Sequence, residues 1–359
     1  MVSAPGRVNL IGEHIDYHGL PVLPMALRRS IRIHFQPRAD CRIRVTSGAY
    51  GHRDFLWTPN LTPVARGDWE NYLRAAAQAI AGKWGVMNGI DATIDADLPP
   101  AAGLSSSSAL IVAVTLALLR ANLREASFEE LMEILPDGEQ FVGTRGGGMD
   151  HAASLASREG CASLIQFVPL AVHHIPIPPN WAFLVANSLH TAEKSGAVRE
   201  QYNAVRAAGT LALRQTGFAS YSEAIHGRTE KDLCALAAAQ HLPPAFLHVV
   251  TEAFRVRHAV QAMREDDSAR FGRLLLASHA SLRDRLQVSC PALDRLVEAA
   301  MDSGALGARL TGAGFGGCAV VFCRRADLSQ VHAGLVERFY SGTPGHILHA
   351  EPGPGAVNS

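Results

Sequence analysis

Leu98-Pro-Pro-Ala-Ala-Gly103-Leu-Ser-Ser-Ser-Ser108 runs directly into Ala109-Leu-Ile-Val-Ala-Val-Thr-Leu-Ala-Leu-Leu119. The second segment, continued to Leu123, is rich in Ala and Leu and lacks Gly and Pro, which predicts a helix starting at Ala109. A glycine and a serine run at a helix start bring free backbone N–H groups, the positive end of the helix dipole and hydroxyl donors to one point, an arrangement suited to an anion. The other reading is a serine-rich turn with a serine N-cap. The pattern G-x-x-x-x-G-K-[ST] is absent from the chain, which disfavours a P-loop NTPase.

Outward from this helix, period-two or apolar runs predict strands at Val8–Ile11, Ser30–Phe35, Cys41–Val45 and Ile90–Ala96, with a helix over Trp69–Ala81. Strand patterns recur at Ala162–Phe167 and Phe183–Ala186, and the chain then turns strongly helical from about Ala192 to Leu286. Gly307–Leu310 and Cys318–Phe322 close the pattern as strands, and the Gly- and Pro-rich tail from Glu351 predicts a poorly ordered end. Mixed strands and helices of this kind give an α+β class, with a second domain beginning near residue 170.

Three further stretches carry chemistry. Thr311-Gly-Ala-Gly-Phe-Gly-Gly317 fits G-x-G-x-x-G, the fingerprint of a dinucleotide-dependent oxidoreductase, but it leads into a strand pattern where that fingerprint must open a helix. It reads instead as a glycine loop between strands, either approaching a ligand or forming a plain hairpin turn. Gly143-Thr-Arg-Gly-Gly-Gly-Met-Asp150 puts an Asp at a helix start, where it is an N-cap unless a partner such as Arg7 gives it another role. Ala4-Pro-Gly-Arg-Val-Asn-Leu-Ile-Gly-Glu-His-Ile-Asp-Tyr17 gathers Arg, Glu, His, Asp and Tyr around an apolar strand, which points to a polar ligand, with a solvated turn as the alternative. His14 and His18 lie between Gly12 and Pro21, so a helical pair binding zinc is disfavoured.

Composition narrows the function classes. The 359 residues are 48% hydrophobic and 18% charged, with 33 basic and 33 acidic side chains. That suits one large or two ordinary globular domains and offers no broad basic face for nucleic acid or anionic lipid. The apolar run after Ser108 is shorter than the roughly 20 residues a membrane helix needs. The six cysteines are scattered with no C-x-x-C, as in a reduced cytosolic protein, and no secretory h-region follows Met1. A cytoplasmic monomer acting on small molecules is expected, with no nucleic-acid or membrane partner.

Taken together, Gly6–Tyr17, Gly103–Ser108 and Leu310–Cys318 resemble the three motifs of the GHMP kinase superfamily, and more closely its galactokinase branch. Ser278-His-Ala-Ser-Leu-Arg-Asp284 and Val288-Ser-Cys-Pro-Ala-Leu-Asp294 are similar to further segments of that branch. The resemblance implies a two-domain GHMP kinase fold, residues 1–168 and 169–359, with ATP and sugar in the cleft between the domains. It implies ATP-dependent phosphorylation of the anomeric hydroxyl of galactose, with an N-acetylgalactosamine 1-kinase or a non-catalytic sugar sensor on the same fold as alternatives. Arg7 and Asp150 match catalytic positions, and Glu13, His14, Asp16 and Tyr202 sugar-binding ones. Gly103, Ser105, Ser106, Ser107 and Lys194 match ATP contacts, and Ser108 and Glu139 fall near the Mg²⁺ ligands.

The chain also departs from the branch. Ile15-Asp-Tyr-His-Gly-Leu20 stands where galactokinases usually read Thr-Asp-Tyr-Asn-Gly-Gly. Ser105-Ser-Ser-Ser-Ala109 replaces Ser-Ser-Ser-Ala-Ser, and Arg145-Gly-Gly-Gly-Met-Asp150 replaces a loop with a cysteine and one glycine. The last two lean toward the N-acetylgalactosamine kinase side. The chain also begins almost at its signature, which implies either a truncated start or a short variant.

Overall fold

The computed structural model describes residues 1–98, 103–141, 143, 146–190, 196–343 and 345–358. The order is β1 (Val2–Ile11), β2 (Leu23–Pro37), β3 (Arg42–Ser47), β4 (Gly51–Leu56), α1 (Glu70–Trp84), β5 (Ile90–Ala96), α2 (Ser106–Ala121), α3 (Phe128–Phe141) and α4 (Met149–Ala156). Then come β6 (Cys161–Phe167), β7 (Leu170–Pro176), β8 (Trp181–Asn187), α5 (Gly196–Thr216), α6 (Tyr221–Ile225), α7 (Glu230–Ala239), α8 (Pro244–Arg264) and α9 (Ser268–Asp284). The chain closes with α10 (Pro291–Asp302), β9 (Gly307–Thr311), β10 (Cys318–Arg324), α11 (Leu328–Arg338), β11 (Ile347–His349) and β12 (Val357–Asn358).

These elements build an α+β fold on two main sheets. The first has the order β12-β1-β2-β5-β3-β4 and is antiparallel except where β3 meets β5. The second, β11-β8-β10-β9, is antiparallel throughout, and β6 and β7 form a hairpin. In the first region α2 and α4 lie on β1 and β2, with α1 and α3 packed against α2. In the second, α9 and α10 cover β9, and α10 also meets β10. β1 contacts β9 and β10 where the two regions meet, so its side chains reach both. One apolar core runs through this junction, from Val8 and Leu10 to Phe183 and Phe322. No helix among the described residues is long and apolar enough to cross a membrane.

Two expectations need correction. The helix after the serine run starts at Ser106, not Ala109, so the serines form its first turn. The tail from Glu351 is well tied down. Gly353 N–H donates to Ala26 C=O (2.9 Å), Arg28 N–H to Glu351 C=O (3.1 Å) and Ala356 N–H to Ser154 C=O (2.7 Å), before β12 pairs with β1. Its glycines serve close backbone approach to β2 and α4 rather than flexibility.

Candidate active site

Arg7 enters the junction from β1, where a register shift between Pro5 and Arg7 interrupts the pairing with β2. Its Nε and Nη2 reach Asp150 Oδ1 at 2.8 and 2.7 Å, and its Nη1 donates to the carbonyl of Gly103 at 2.8 Å. The arginine is buried, whereas the Asp150 side chain stays 25% exposed. Asp150 sits in the first turn of α4. Ser105 Oγ donates to its other oxygen, Oδ2, at 2.5 Å. Burial pushes this carboxyl up, but the charge of Arg7 and the hydroxyl of Ser105 outweigh burial and hold it below the usual carboxylate range.

That bond settles how the serine run is used. Ser105 is the N-cap residue of α2, in the left-handed region at φ 54°, yet its side chain caps no helical amide. The hydroxyl that a cap would use is committed to Asp150. The first intrahelical bond joins Ala109 N–H to Ser105 C=O, so the amides of Ser106 to Ser108 precede it at the positive end of α2. Ser106 and Ser107 are half-buried and Ser108 is buried. The glycine loop after β9 lies alongside: a Cβ at Gly103 would stand 3.4 Å from the Thr311 carbonyl. Gly312 to Gly317 link β9 to β10 with no helix after them, so the dinucleotide fingerprint lacks its helix.

The turn after β1 carries the remaining polar candidates. Glu13 Oε1 accepts from Gly312 N–H at 2.6 Å and lies 3.6 Å from Arg309, which turns the carboxylate toward the glycine loop. His14 bonds Ala313 C=O through Nε2 (3.1 Å) and Tyr17 Oη through Nδ1 (2.8 Å). A carbonyl can only accept, so Nε2 carries the proton and Nδ1 accepts from Tyr17. Burial lowers the His14 pKa, in keeping with a neutral ring. Tyr202, on α5, brings its ring within 5.5 Å of His14 and 5.8 Å of Tyr17.

Asp16 is buried and accepts from Gly147 N–H at 3.1 Å. A Cβ at Gly147 would fall 2.3 Å from Tyr17 N, so only glycine lets the loop before Asp150 lie on the signature turn. Burial, and then the charge of Asp150, push the Asp16 carboxyl up to about 7. Of the sequence candidates, Arg7, Gly103, Ser105 and Asp150 are directly joined, and His14 and Tyr202 meet. Lys194 and the side chain of Glu139 lie outside the described residues.

Behind the turn is a buried polar layer that the sequence reading missed. Glu252 accepts from Gly12 N–H (2.9 Å), Ser278 Oγ (2.7 Å) and Arg255 Nε (2.6 Å). His248 bridges Glu13 C=O and Ser281 Oγ, and Arg309 donates to the carbonyls of Asn9 and Leu10. These residues lie on α8, α9 and β9 and hold the end of β1 from the side of the second sheet. A glutamate and a histidine four apart in a helical stretch were the available signal, but that pattern is common on solvated helix faces.

Comparison with known proteins assigns the arrangement to a family. The galactokinase galactose-binding signature matches residues 1–37, the GHMP kinases N terminal domain residues 71–158 and the GHMP kinases C terminal region residues 259–341. A galactokinase from Roseiflexus sp. (strain RS-1) is 36% identical, with 99% of this chain aligned to 93% of the relative. The chain belongs to the galactokinase family of GHMP kinases. A galactokinase from Canis lupus familiaris is 34% identical over 95% of this chain and 88% of its own. Among solved structures, Lactococcus lactis galactokinase complexed with galactose superposes with a TM-score of 0.89 and 26% identity, covering 99% of this chain and 94% of that one. A mevalonate kinase shares the fold alone, at a TM-score of 0.67 and 17% identity over 98% of both chains. The galactokinase family members are phosphotransferases that act on an alcohol group, and the matched signature spans the Arg7 to Tyr17 segment described above.

Proposed function

We propose that this chain transfers the γ-phosphoryl group of ATP to the anomeric hydroxyl of galactose, giving galactose 1-phosphate and ADP. The observation that carries the reading is Asp150, partly exposed and held by both Arg7 of the signature strand and Ser105 of the phosphate loop. Phosphoryl transfer asks for positioning and charge neutralisation around a loose transition state, and this cluster places both at one point. The amides of Ser105 to Ser107 and the hydroxyls of Ser106 and Ser107 would hold the nucleotide phosphates at the positive end of α2, with Gly103 keeping the backbone close and Lys194 adding a cation. Arg7 would offset charge on the transferring group.

Asp150, ionised at neutral pH, would accept a hydrogen bond from the sugar hydroxyl, aim its oxygen at phosphorus and take the proton late in the transfer. Glu13, His14, Asp16 and Tyr202 would line the sugar side. The Ser108 hydroxyl at the start of α2 and the Glu139 carboxylate on α3, which packs on α2, are hard oxygen donors suited to Mg²⁺. They would hold the ion, which supplies charge neutralisation at the phosphates. The pairing of Arg7 with Asp150 favours an enzyme over a sugar sensor, which would need the binding residues alone.

A coupled ADP-release assay with ATP and Mg²⁺ tests the reading on galactose, N-acetylgalactosamine, glucose and mevalonate at equal concentration. Turnover of galactose above the others is the expected result. Preference for N-acetylgalactosamine would move the substrate to the 2-acetamido sugar, and silence on all four would reject the kinase reading.

A further inference from the structure

The turn Asp16–His18 docks on α5 through a contact that the sequence motifs do not mark. Gly209, buried in the middle of α5, faces the His18 ring so closely that a Cβ there would stand 2.4 Å from Nε2 and 2.9 Å from Cε1. The ring has little room to swing aside: its centroid is 4.7 Å from that of Tyr17 and 4.9 Å from that of Tyr221. Tyr221 Oη also donates to Gly209 C=O at 2.7 Å, fixing the helix at the same residue. Burial lowers the His18 pKa to about 4, so the ring is neutral at physiological pH and tolerates the nearby Arg206 cation.

Tyr202, Arg206 and Gly209 are spaced by four and three residues, which puts them on one face of α5. That face looks at the signature turn: the Arg206 guanidinium and the Tyr202 ring each lie 5.8 Å from the Tyr17 ring. A helix held off at Gly209 would carry both side chains away from His14 and Tyr17. We propose that His18 and Gly209 are a matched large and small pair that sets how closely α5 approaches the signature turn, and thereby positions Tyr202 and Arg206 at the sugar site. The sugar part rests on the galactose kinase reading. His18 is a positioning residue in this account, acting through α5.

The test is a double-mutant cycle on the full chain with Gly209→Ala and His18→Asn. Alanine favours a helix more than glycine does, so a loss with Ala reports the steric contact and not helix propensity. Asn stays polar but ends short of the imidazole Nε2. Gly209→Ala is expected to raise the sugar KM about tenfold, as a small misplacement of a positioning group does, with kcat and the ATP KM nearly unchanged. Adding His18→Asn is expected to bring the sugar KM back to within about threefold of the wild type, whereas independent effects would add. In the free protein, hydrogen exchange along α5 should rise in Gly209→Ala and recover in the double variant. An unchanged sugar KM, a double variant no better than Gly209→Ala, or unaltered exchange would overturn the pairing. Failure of the wild type to phosphorylate galactose would reject the kinase reading instead, and the exchange measurement would still decide the His18–Gly209 contact.

Discussion

Arg7–Asp150 and Arg255–Glu252 are two arginine–carboxylate pairs of almost equal length, 2.7 and 2.6 Å. Both carboxyls are held below their ordinary range. In each case burial opposes this and the neighbouring arginine is the largest opposing influence, with Glu252 reaching about 2. Each also accepts from a serine hydroxyl, Ser105 and Ser278. They differ in exposure: the Glu252 side chain is sealed at 0%, whereas Asp150 is 25% open. Glu252 spends its lone pairs on Gly12 N–H, Ser278 and Arg255, so its chemistry is used up in holding backbone. The same residue types therefore build a sealed brace in one place and a solvent-accessible carboxylate in the other, and exposure separates them.

The largest expected effect separates the pairs at the open end. Asp150→Asn should lower turnover on the order of 10³-fold, within the range for loss of a proton acceptor, while nucleotide affinity holds. Turnover near the wild-type level would put both pairs in the same structural class. At the sealed end, Glu252→Gln leaves Arg255 unpaired in the interior and should cost about 3 kcal/mol or more of unfolding free energy in denaturant titration. A loss of kcat at full stability would break the comparison from the other side.

Asp16 sharpens it through pH. Its folded pKa near 7 lies above the ordinary 3.8, so the folded chain keeps a proton that the unfolded chain releases. The resulting stabilisation is present at low pH and is lost as pH rises through about 4 to 7. Asp16→Asn should remove that slope, on the order of 4 kcal/mol, from a plot of stability against pH relative to the wild type. Parallel curves for the two proteins would show that neither burial nor Asp150 raises the Asp16 carboxyl. The smallest effect belongs to Ser105→Ala, which deletes one hydrogen bond to Asp150. It should lower kcat about tenfold or less and shift the acid limb of the rate profile upward, since the hydroxyl helps to hold the carboxyl ionised.

Much of this was legible along the chain because it rests on local rules. Apolar period and the absence of Gly and Pro marked the helix of Ala109, and the strands on either side of Gly312–Gly317 followed from their β-rich runs. Arg7 and Asp150 stood out as charges beside glycine loops. Other features have no local signal. A serine N-cap was expected from the composition of the run, and only the approach of Asp150, 45 residues on, diverted the hydroxyl of Ser105. The Gly- and Pro-rich tail looked loose until β2 and the end of α4 supplied partners for its amides.

The sequence alone determined the element types, the α+β class and the three loops with their charged neighbours, because backbone propensity and side-chain period act over a few residues. Tertiary structure alone decided which carboxylate stays partly exposed and which is sealed, since the partners come from 143 residues away for Arg7–Asp150 and 240 for Gly12–Glu252. It likewise decided that Gly209 would sit under the ring of His18. Desolvation and close contact depend on what the rest of the chain packs around a group, and no window of sequence contains that.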